Sequence, residues 1–335
     1  EKLHQAAQVC EKLMAEPGSP VLGLHIEGPY LNKKMAGEQF ADQVKEIDGQ
    51  EYRELVESTR CIRRWDASPE LPGALEFASY LREKGILAAV SHTEAEYDGI
   101  RAAYEAGFTH AAHFYNAMPG FHKRREYKYE GTVESIYLTD GMTIELIADG
   151  IHLPSTILKL AYKLKGVEHT CLVTDALSCA ATEGKEINDP RYIIEDGVCK
   201  LADRSSLAGS IATMDVLVRT MVKAGIPLGD ALRMASETPA RIMGVYDRKG
   251  SLQKDKDADI LIYNSTIEGE LYSVDELLAK STLFSDFKAV KEGNVYCTGS
   301  NFFQESTGTC DFIEDLHKVL VDETDDNYRF LKHVR

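Results

Sequence analysis

The stretch LGLHIEGPYL, residues 22–31, ends a buried strand on a carboxylate. An apolar run of strand character reaches Glu27 and then meets Gly28 and Pro29, a pair typical of a turn. His25 lies two residues before Glu27, so alternation along a strand puts both side chains on one face. His25 is therefore either a partner that orients Glu27 or a packed structural residue. An ionisable group at the mouth of a buried strand requires a chemical reason.

The same pattern recurs along the chain. Apolar runs that end in polar residues predict further strands at 86–92, 110–118, 142–150 and 169–176, with a weaker candidate at 61–70. Amphipathic stretches between them predict helices at 71–85, 94–107 and 155–166. This alternation indicates an α/β fold with a parallel sheet covered by helices. Polar residues at the carboxyl ends of the strands favour a (β/α) barrel, whose active site lies at that face. A doubly wound sheet stays open, although no GxGxxG turn follows a strand.

The second half of the chain changes in character. Further helices are predicted at 211–225, 227–236 and 238–244, followed by a turn and a strand within 249–264. We divide the chain into a partial barrel over residues 1–245, one strand of a small β domain over 246–264, and an atypical tail over 265–335.

Composition excludes some classes of partner. The 335 residues carry a formal net charge of −16, which argues against nucleic acid or an anionic membrane surface as the main partner. A local basic pocket is compatible with this charge. The seven cysteines contain no CxxC pair, so we expect a reduced, cytoplasmic setting. No apolar run approaches the roughly 18 residues of a membrane span.

Four strand ends carry metal-type ligands, namely Glu27, His92, His113 and Asp175. A single buried histidine is more often a hydrogen-bonded core residue, but chance does not readily place four such groups at one face. Imidazole and carboxylate together suit a divalent ion such as zinc or iron. With three protein ligands, the ion keeps a position open for a water molecule and lowers its pKa. A further carboxylate must then take the water's proton, and Asp175, last in chain order, is the candidate.

The chain resembles the N-acetylglucosamine-6-phosphate deacetylase family of the amidohydrolase superfamily. The resemblance rests on segments that occur in family order and spacing: GLHIEGPYLNKKMAG (23–37), VSHTEA (90–95), HFYNAMPGF (113–121), IADGIHL (147–153) and LVTDA (172–176). LAGSIATM (207–214) and KDADILIYN (256–264) extend it to about residues 1–264.

The resemblance implies a fold and a metal centre. The fold is a (β/α)8 barrel of the TIM type found in metal-dependent hydrolases, with a small β domain built from both chain ends. Glu27 would be a metal ligand on the third barrel strand, with His92 and His113 on the fifth and sixth. Asp175, on the eighth, would be the general base and acid. Family members carry a longer segment before Glu27, so the barrel is expected to lack its first two strands. The number of metal ions in the site, one or two, is left open.

The resemblance also implies substrate contacts, at Gln39, Asn116, Ala117, Arg124, Arg125 and His152. Arg124 and Arg125 compete for one role, because Arg125 aligns with a His-Arg-Glu motif whereas Arg124 aligns by spacing. The planar fork of arginine suits bidentate binding of a phosphate. Gln39 lies where many relatives have a substrate-facing histidine.

The implied activity is hydrolysis of the acetamide of N-acetyl-D-glucosamine 6-phosphate to glucosamine 6-phosphate and acetate, by a cytoplasmic enzyme that resembles homodimeric relatives. One alternative is another amidohydrolase, such as a cyclic-amide hydrolase or a deaminase. Another is a binding module for uptake of a metal complex, because residues 286–323 resemble the end of solute-binding proteins of iron-siderophore-type ABC transporters. Since a barrel must close to bury its strand edges, we also expect this chain to be poorly soluble and nearly inactive.

Overall fold

The computed structural model describes residues 2–16, 19–37, 39, 43–180, 187, 189–251, 261–263, 269–299, 315 and 331–334. The chain divides into two compact units. The first comprises Glu1–Met14 and Val21–Met243, and the second comprises Ala15–Pro20 and Gly244–Arg335.

The first unit contains ten strands among its described residues. They are β1 (Leu24–Glu27), β2 (Ile62–Ala67), β3 (Leu87–Val90), β4 (Phe108–Ala111), β5 (His122–Arg124), β6 (Tyr127–Tyr129), β7 (Thr143–Leu146), β8 (Thr170–Leu172), β9 (Tyr192–Glu195) and β10 (Val198–Leu201). Six of them form one parallel sheet in the order β1-β2-β3-β4-β7-β8. The pairs β5-β6 and β9-β10 are separate antiparallel ribbons.

The described helices of this unit are α1 (Lys2–Ala15), α2 (Gly49–Ser58), α3 (Ala74–Glu83), α4 (Tyr97–Ala106), α5 (Thr132–Tyr137), α6 (Ser155–Lys165), α7 (Met214–Lys223), α8 (Leu228–Ala235) and α9 (Glu237–Ile242). Helix α1 precedes the main sheet, and the other helices of this unit follow its strands. Each of the longer helices buries one face, as α4 does with Ile100 and Ala103. Gly107, at positive φ, follows the last turn of α4, where a side chain would meet the backbone of Ala78.

The strand order distinguishes between the two predicted α/β architectures. A doubly wound sheet reverses its order at a switch point, whereas a barrel adds each parallel strand beside the one before it. Here the six strands lie in chain order without reversal. The prediction of a partial TIM-type barrel is therefore confirmed. The weakest strand candidate, 61–70, is a full member as β2.

The strand predicted at 110–118 differs in its bounds. Strand β4 begins at Phe108 and ends at Ala111. The residues beyond it leave the extended conformation, because His113, Tyr115 and Ala117 all have positive φ. The apolar character of this segment therefore comes from a buried turn rather than from a longer strand.

An aromatic cluster fixes the turn after β1. The single tryptophan, Trp65, is buried on β2 and stacks on Tyr30, while Phe77 meets both rings edge-on. Nε1 of Trp65 donates a hydrogen bond to the carbonyl oxygen of Gly28 at 2.7 Å. The residue directly after Glu27 is thus held by the core.

The second unit has a small sheet. Its described strands are β11 (Leu261–Tyr263), β12 (Val295–Thr298) and β13 (Leu331–His333), where β12 pairs parallel with β11 and antiparallel with β13. Helices α10 (Val274–Lys280) and α11 (Lys288–Lys291) accompany them. Strand β11 lies in the segment 246–264 and β12 in the segment 265–335 of the division made from sequence. Within the described part of the chain, no helix has the length and apolar character that a membrane crossing requires.

Candidate metal centre and active site

Three of the predicted ligands converge at the carboxyl edge of the main sheet. Glu27 ends β1, while His92 and His113 follow β3 and β4. Oε1 of Glu27 lies 2.9 Å from Nε2 of His92 and 2.9 Å from Nε2 of His113. The donor atoms of the three residues all lie within 4.8 Å of one another. Two imidazoles and one carboxylate on three strands make a donor set that fits a divalent ion such as zinc or iron.

The backbone at these strand ends is unusual. His92 has a φ of 46°, His113 of 29° and Asp175 of 48°. A non-glycine residue in this left-handed region costs about 1–2 kcal/mol, so it persists only where the surroundings fix it. Such residues cluster at functional sites. All three therefore mark this edge of the sheet as a candidate active site.

Neighbouring groups orient the donors. The carbonyl oxygen of Met35 lies 2.7 Å from Nδ1 of His92. Because a carbonyl only accepts, Nδ1 carries a proton, and Nε2 is the ring nitrogen that faces Glu27. The side-chain amide of Gln39 donates to Oε2 of Glu27 at 3.1 Å, which leaves Oε1 facing the imidazoles.

The site attracts positive charge. Burial alone would lower the pKa of His113, but its hydrogen bond to Glu27 and the charge of that carboxylate raise the pKa to about 9. Burial would likewise raise the pKa of Glu27, but the bonds to His113 and His92 hold it well below the usual range. A proton is thus retained where a metal cation would fit, and the two compete for the same donors.

Asp175 lies close to this cluster but is not one of the converging donors. It follows β8, and burial raises the pKa of its carboxyl, with His113 acting in the opposite direction and Glu27 in the same direction. Its backbone oxygen accepts a hydrogen bond from the amide of Ser210 at 2.7 Å. A buried carboxyl with a raised pKa suits a proton acceptor and donor.

A cavity of about 510 Å³ opens above the cluster. Among its lining residues are the three donors, Asp175, Asn116, Ala117, His152, Lys34 and the segment 205–209. Three of the predicted substrate residues, Asn116, Ala117 and His152, therefore line the cavity, whereas Gln39 contacts Glu27 instead.

Arg124 and Arg125 are not among the residues that line this cavity. Both lie on the β5-β6 hairpin, where Arg125 occupies the turn with a φ of 57°. Arg124 forms an ion pair with Glu96 and lies 4.3 Å over the ring of Tyr129. Arg124 lines a second cavity of about 750 Å³, and Lys34 lines both cavities.

His152 has a partner that the sequence reasoning missed. Oδ2 of Asp149 lies 2.6 Å from Nδ1 of His152, and the carbonyl oxygen of Ala208 lies 2.9 Å from Nε2. Burial would lower the pKa of His152, but the hydrogen bond to Asp149 and its charge raise it. The spacing Asp-x-x-His after an apolar run is the signal that could have identified the pair.

A network of polar side chains beneath the site was also missed, formed by the buried residues Arg64, Asp66, Glu145 and His110 and by the exposed His25. His25 contacts Oδ2 of Asp66 at 2.9 Å, which is the side-chain partner that the structure gives it. The side chains of Arg64 and Asp66 were detectable, since two charged residues at alternate positions inside a strand share one buried face. Two members of the network, His110 and Glu145, and the adjacent Cys171 offer donor atoms within 4.8 Å of one another.

The comparisons with known proteins agree with this architecture. Residues 4–301 match the model of the Amidohydrolase family, and the match extends past the junction predicted near residue 264. The chain is 32% identical over 259 residues to N-acetylglucosamine-6-phosphate deacetylase of Bacillus subtilis, which covers 75% of this chain and 63% of that protein. It is also 32% identical over 273 residues to N-acetylgalactosamine-6-phosphate deacetylase of Escherichia coli O157:H7, with 78% and 69% covered.

A solved structure is similar over the same part of the chain. The N-acetylglucosamine-6-phosphate deacetylase of Pasteurella multocida superposes with a TM-score of 0.70 at 29% identity, covering 77% of this chain and 67% of that one. The chain thus spans about two thirds of the length of the proteins it matches. With most of its length matched by one family model, and with the strand order and strand-end donors described above, the chain belongs to the amidohydrolase family.

Proposed function

We propose that this chain carries the catalytic centre of an N-acetylglucosamine-6-phosphate deacetylase, which hydrolyses the acetamide of N-acetyl-D-glucosamine 6-phosphate to glucosamine 6-phosphate and acetate. The observation that carries the proposal is the convergence of Glu27, His92 and His113 in a cavity that Asp175 also lines. The names of the similar proteins support the substrate class. A cytoplasmic homodimer, as the resemblance implies, is part of the same proposal.

Glu27, His92 and His113 would hold one divalent ion, zinc or iron. When bound, such an ion polarises an amide carbonyl and lowers the pKa of a water molecule. The carboxylate of Asp175 would accept the proton of the attacking water and return it to the nitrogen of the leaving amine. Asn116, Ala117 and His152 would border the sugar, and the amide of Gln39 would keep Glu27 in position.

Lys34 offers the phosphate a cation that sequence reasoning overlooked. Among the described residues that line the main cavity, it is the one lysine or arginine. Its side chain is exposed and lies 3.3 Å from Glu94 in a solvated ion pair, which costs little to exchange for a phosphate. Because Lys34 also borders the second cavity, a phosphate beside it would lie on the side of Arg124. We assign the phosphate to Lys34, with Arg124 as a second candidate and Arg125 as a weaker one.

Lys33 provides a matched control, because it neighbours Lys34 in the 3₁₀ turn Lys33–Met35 but does not line the cavity. Lys34→Ala should lower kcat/KM for the phosphosugar by about tenfold, equivalent to about 1.4 kcal/mol, and leave unphosphorylated N-acetylglucosamine unaffected. Lys33→Ala should change neither. Equal losses on both substrates would remove Lys34 from the phosphate site, and Arg124→Ala should then be the variant that separates them.

The function is tested by acetate release from the zinc-loaded full-length protein, because this chain alone is expected to be nearly inactive. N-acetylglucosamine 6-phosphate and its galactosamine epimer should both be assayed, because relatives named for each are equally similar. Cyclic amides and aminated purines or pyrimidines are assayed as well, to test the alternative that the chain is a cyclic-amide hydrolase or a deaminase. No acetate from either phosphosugar, together with turnover of a cyclic amide, would overturn the proposal.

A further inference from the structure

We propose that Glu145 is a positioning residue for the metal centre, acting through the backbone of His113; this rests on the proposed function of that centre. Glu145 lies on β7, beside β4. Its side-chain Oε1 accepts a hydrogen bond from the amide of His113 at 3.0 Å, and its backbone oxygen accepts one from the amide of Phe114 at 2.8 Å. Both bonds hold the chain at the point where His113 adopts its left-handed conformation.

Arg64 fixes the rotamer of Glu145. Its Nη1 donates to Oε2 of Glu145 at 2.6 Å and its Nη2 donates to Oε1 at 2.8 Å. On its other side, Arg64 donates from Nε and Nη2 to both oxygens of Asp66, at 2.7 and 2.8 Å. The side chains of Arg64 and Glu145 are only 9% and 6% exposed, so water does not compete for the hydrogen bonds between them. A planar bidentate pair in this setting leaves the carboxylate a single orientation.

The donors around Glu145 do not make a second metal site. His110, Glu145 and Cys171 are close enough to share an ion. However, both oxygens of Glu145 already accept from Arg64, whose charge occupies the position of a cation and would repel another one. His110 completes the set, with its Nε2 3.2 Å from Oε2 of Glu145 and its Nδ1 2.7 Å from Oγ1 of Thr143.

Stability alone does not account for this network. Apolar residues of similar volume often replace a buried ion pair without loss of stability. The bond to His113 is the feature that an apolar replacement cannot supply, because that amide would then be buried without a partner. The geometry therefore points to a role in orienting the imidazole of His113 toward Oε1 of Glu27.

Asp66 supplies the control, since it pairs with the same guanidinium in the same buried layer and does not contact His113. Zinc affinity of the folded protein is measured by competition with a chromophoric chelator, with folding checked by circular dichroism. Glu145→Ala should weaken zinc binding by about tenfold or more relative to Asp66→Asn, within the range seen when a residue supporting a ligand is removed. Glu145→Gln, which keeps an oxygen for the amide of His113, should recover most of that loss.

Equal zinc affinities in Glu145→Ala and Asp66→Asn would overturn the proposal. If Glu145→Ala does not fold, the substitutions are made in a protein that also carries Arg64→Met, which removes the cation left without a partner. In that background, the zinc affinity of Glu145→Leu is compared with that of Glu145→Gln. Tighter zinc binding by the glutamine variant supports the role, and equal binding refutes it. The proposed deacetylase function fails separately, when the wild-type protein binds zinc but releases no acetate.

Discussion

Replacing Asp175 by Asn separates chemistry from folding at this site. Asp175 has a φ of 48°, a region in which alanine is strained by about 1–2 kcal/mol and asparagine is tolerated. Asn is also close to Asp in shape and keeps an oxygen acceptor. Asp175→Ala would therefore mix backbone strain with the loss of a base, whereas Asp175→Asn removes the base alone.

The expected loss is in turnover. A group that transfers protons contributes roughly 10²–10⁴ in rate, which corresponds to about 2.7–5.4 kcal/mol of activation free energy. Stability should not fall, because burial raises the pKa of Asp175 and its ionised form therefore costs stability above that pKa. The neutral amide removes this cost. Zinc affinity should persist, because Asp175 is not among the three converging donors.

The assay measures acetate release at saturating N-acetylglucosamine 6-phosphate, thermal melting and zinc content for the same preparation. The single tryptophan, Trp65, reports unfolding of the main sheet by its fluorescence. Turnover within tenfold of the wild type would refute the assignment of Asp175 as the base. Loss of zinc with loss of turnover would instead identify Asp175 as a ligand.

Two further predictions concern the metal and a buried lysine. Zinc should stabilise the wild-type protein by about 2.7 kcal/mol when free zinc is 100 times the Kd. This stabilisation should be lost in each of the variants Glu27→Gln, His92→Ala and His113→Ala. A variant whose melting temperature still rises with zinc as in the wild type would exclude the substituted residue as a ligand. Burial lowers the pKa of Lys165 to about 8. Between pH 8 and 10 the unfolded chain therefore binds more protons than the folded chain, so the free energy of unfolding rises with pH. After allowance for screening by solvent, the rise should be on the order of 1–2 kcal/mol. Urea unfolding should lose that rise in Lys165→Met and retain it in Lys163→Met, which changes an exposed lysine of the same helix; an unchanged rise in both would disprove the lysine's role.

The fold was predictable because the strands of the main sheet, apart from β2, are short and largely apolar runs that are followed by polar residues. That pattern depends only on burial along parallel strands, and it is sufficient to place Glu27, His92 and His113 at one edge of the sheet. The conformation at those ends was not predictable. Positive φ at His92 and His113 is a feature of the backbone that an apolar run with a polar end does not indicate.

The placement of the arginines was beyond sequence reasoning for a different reason. The motif favours Arg125 and the spacing favours Arg124, but neither indicates the direction in which the hairpin that carries them extends. Arg124 instead contacts Glu96 and Tyr129, partners that neither motif nor spacing indicates. Lys34 was passed over because nothing in the run of two lysines distinguishes the one that lines the cavity.

Strand β2 contributes no donor to the metal centre, yet it aligns the strands on either side. Oγ of Ser68, just beyond β2, donates to the carbonyl oxygen of His92 at 2.7 Å and accepts from the amide of Asn32 at 2.7 Å. Trp65 holds the carbonyl of Gly28, next to Glu27. Ser68, a polar residue of the weakest strand candidate 61–70, thus binds the segments that follow both neighbouring strands. A strand with interrupted apolar character between two strands that end in ligands therefore indicates a supporting role for its polar residues.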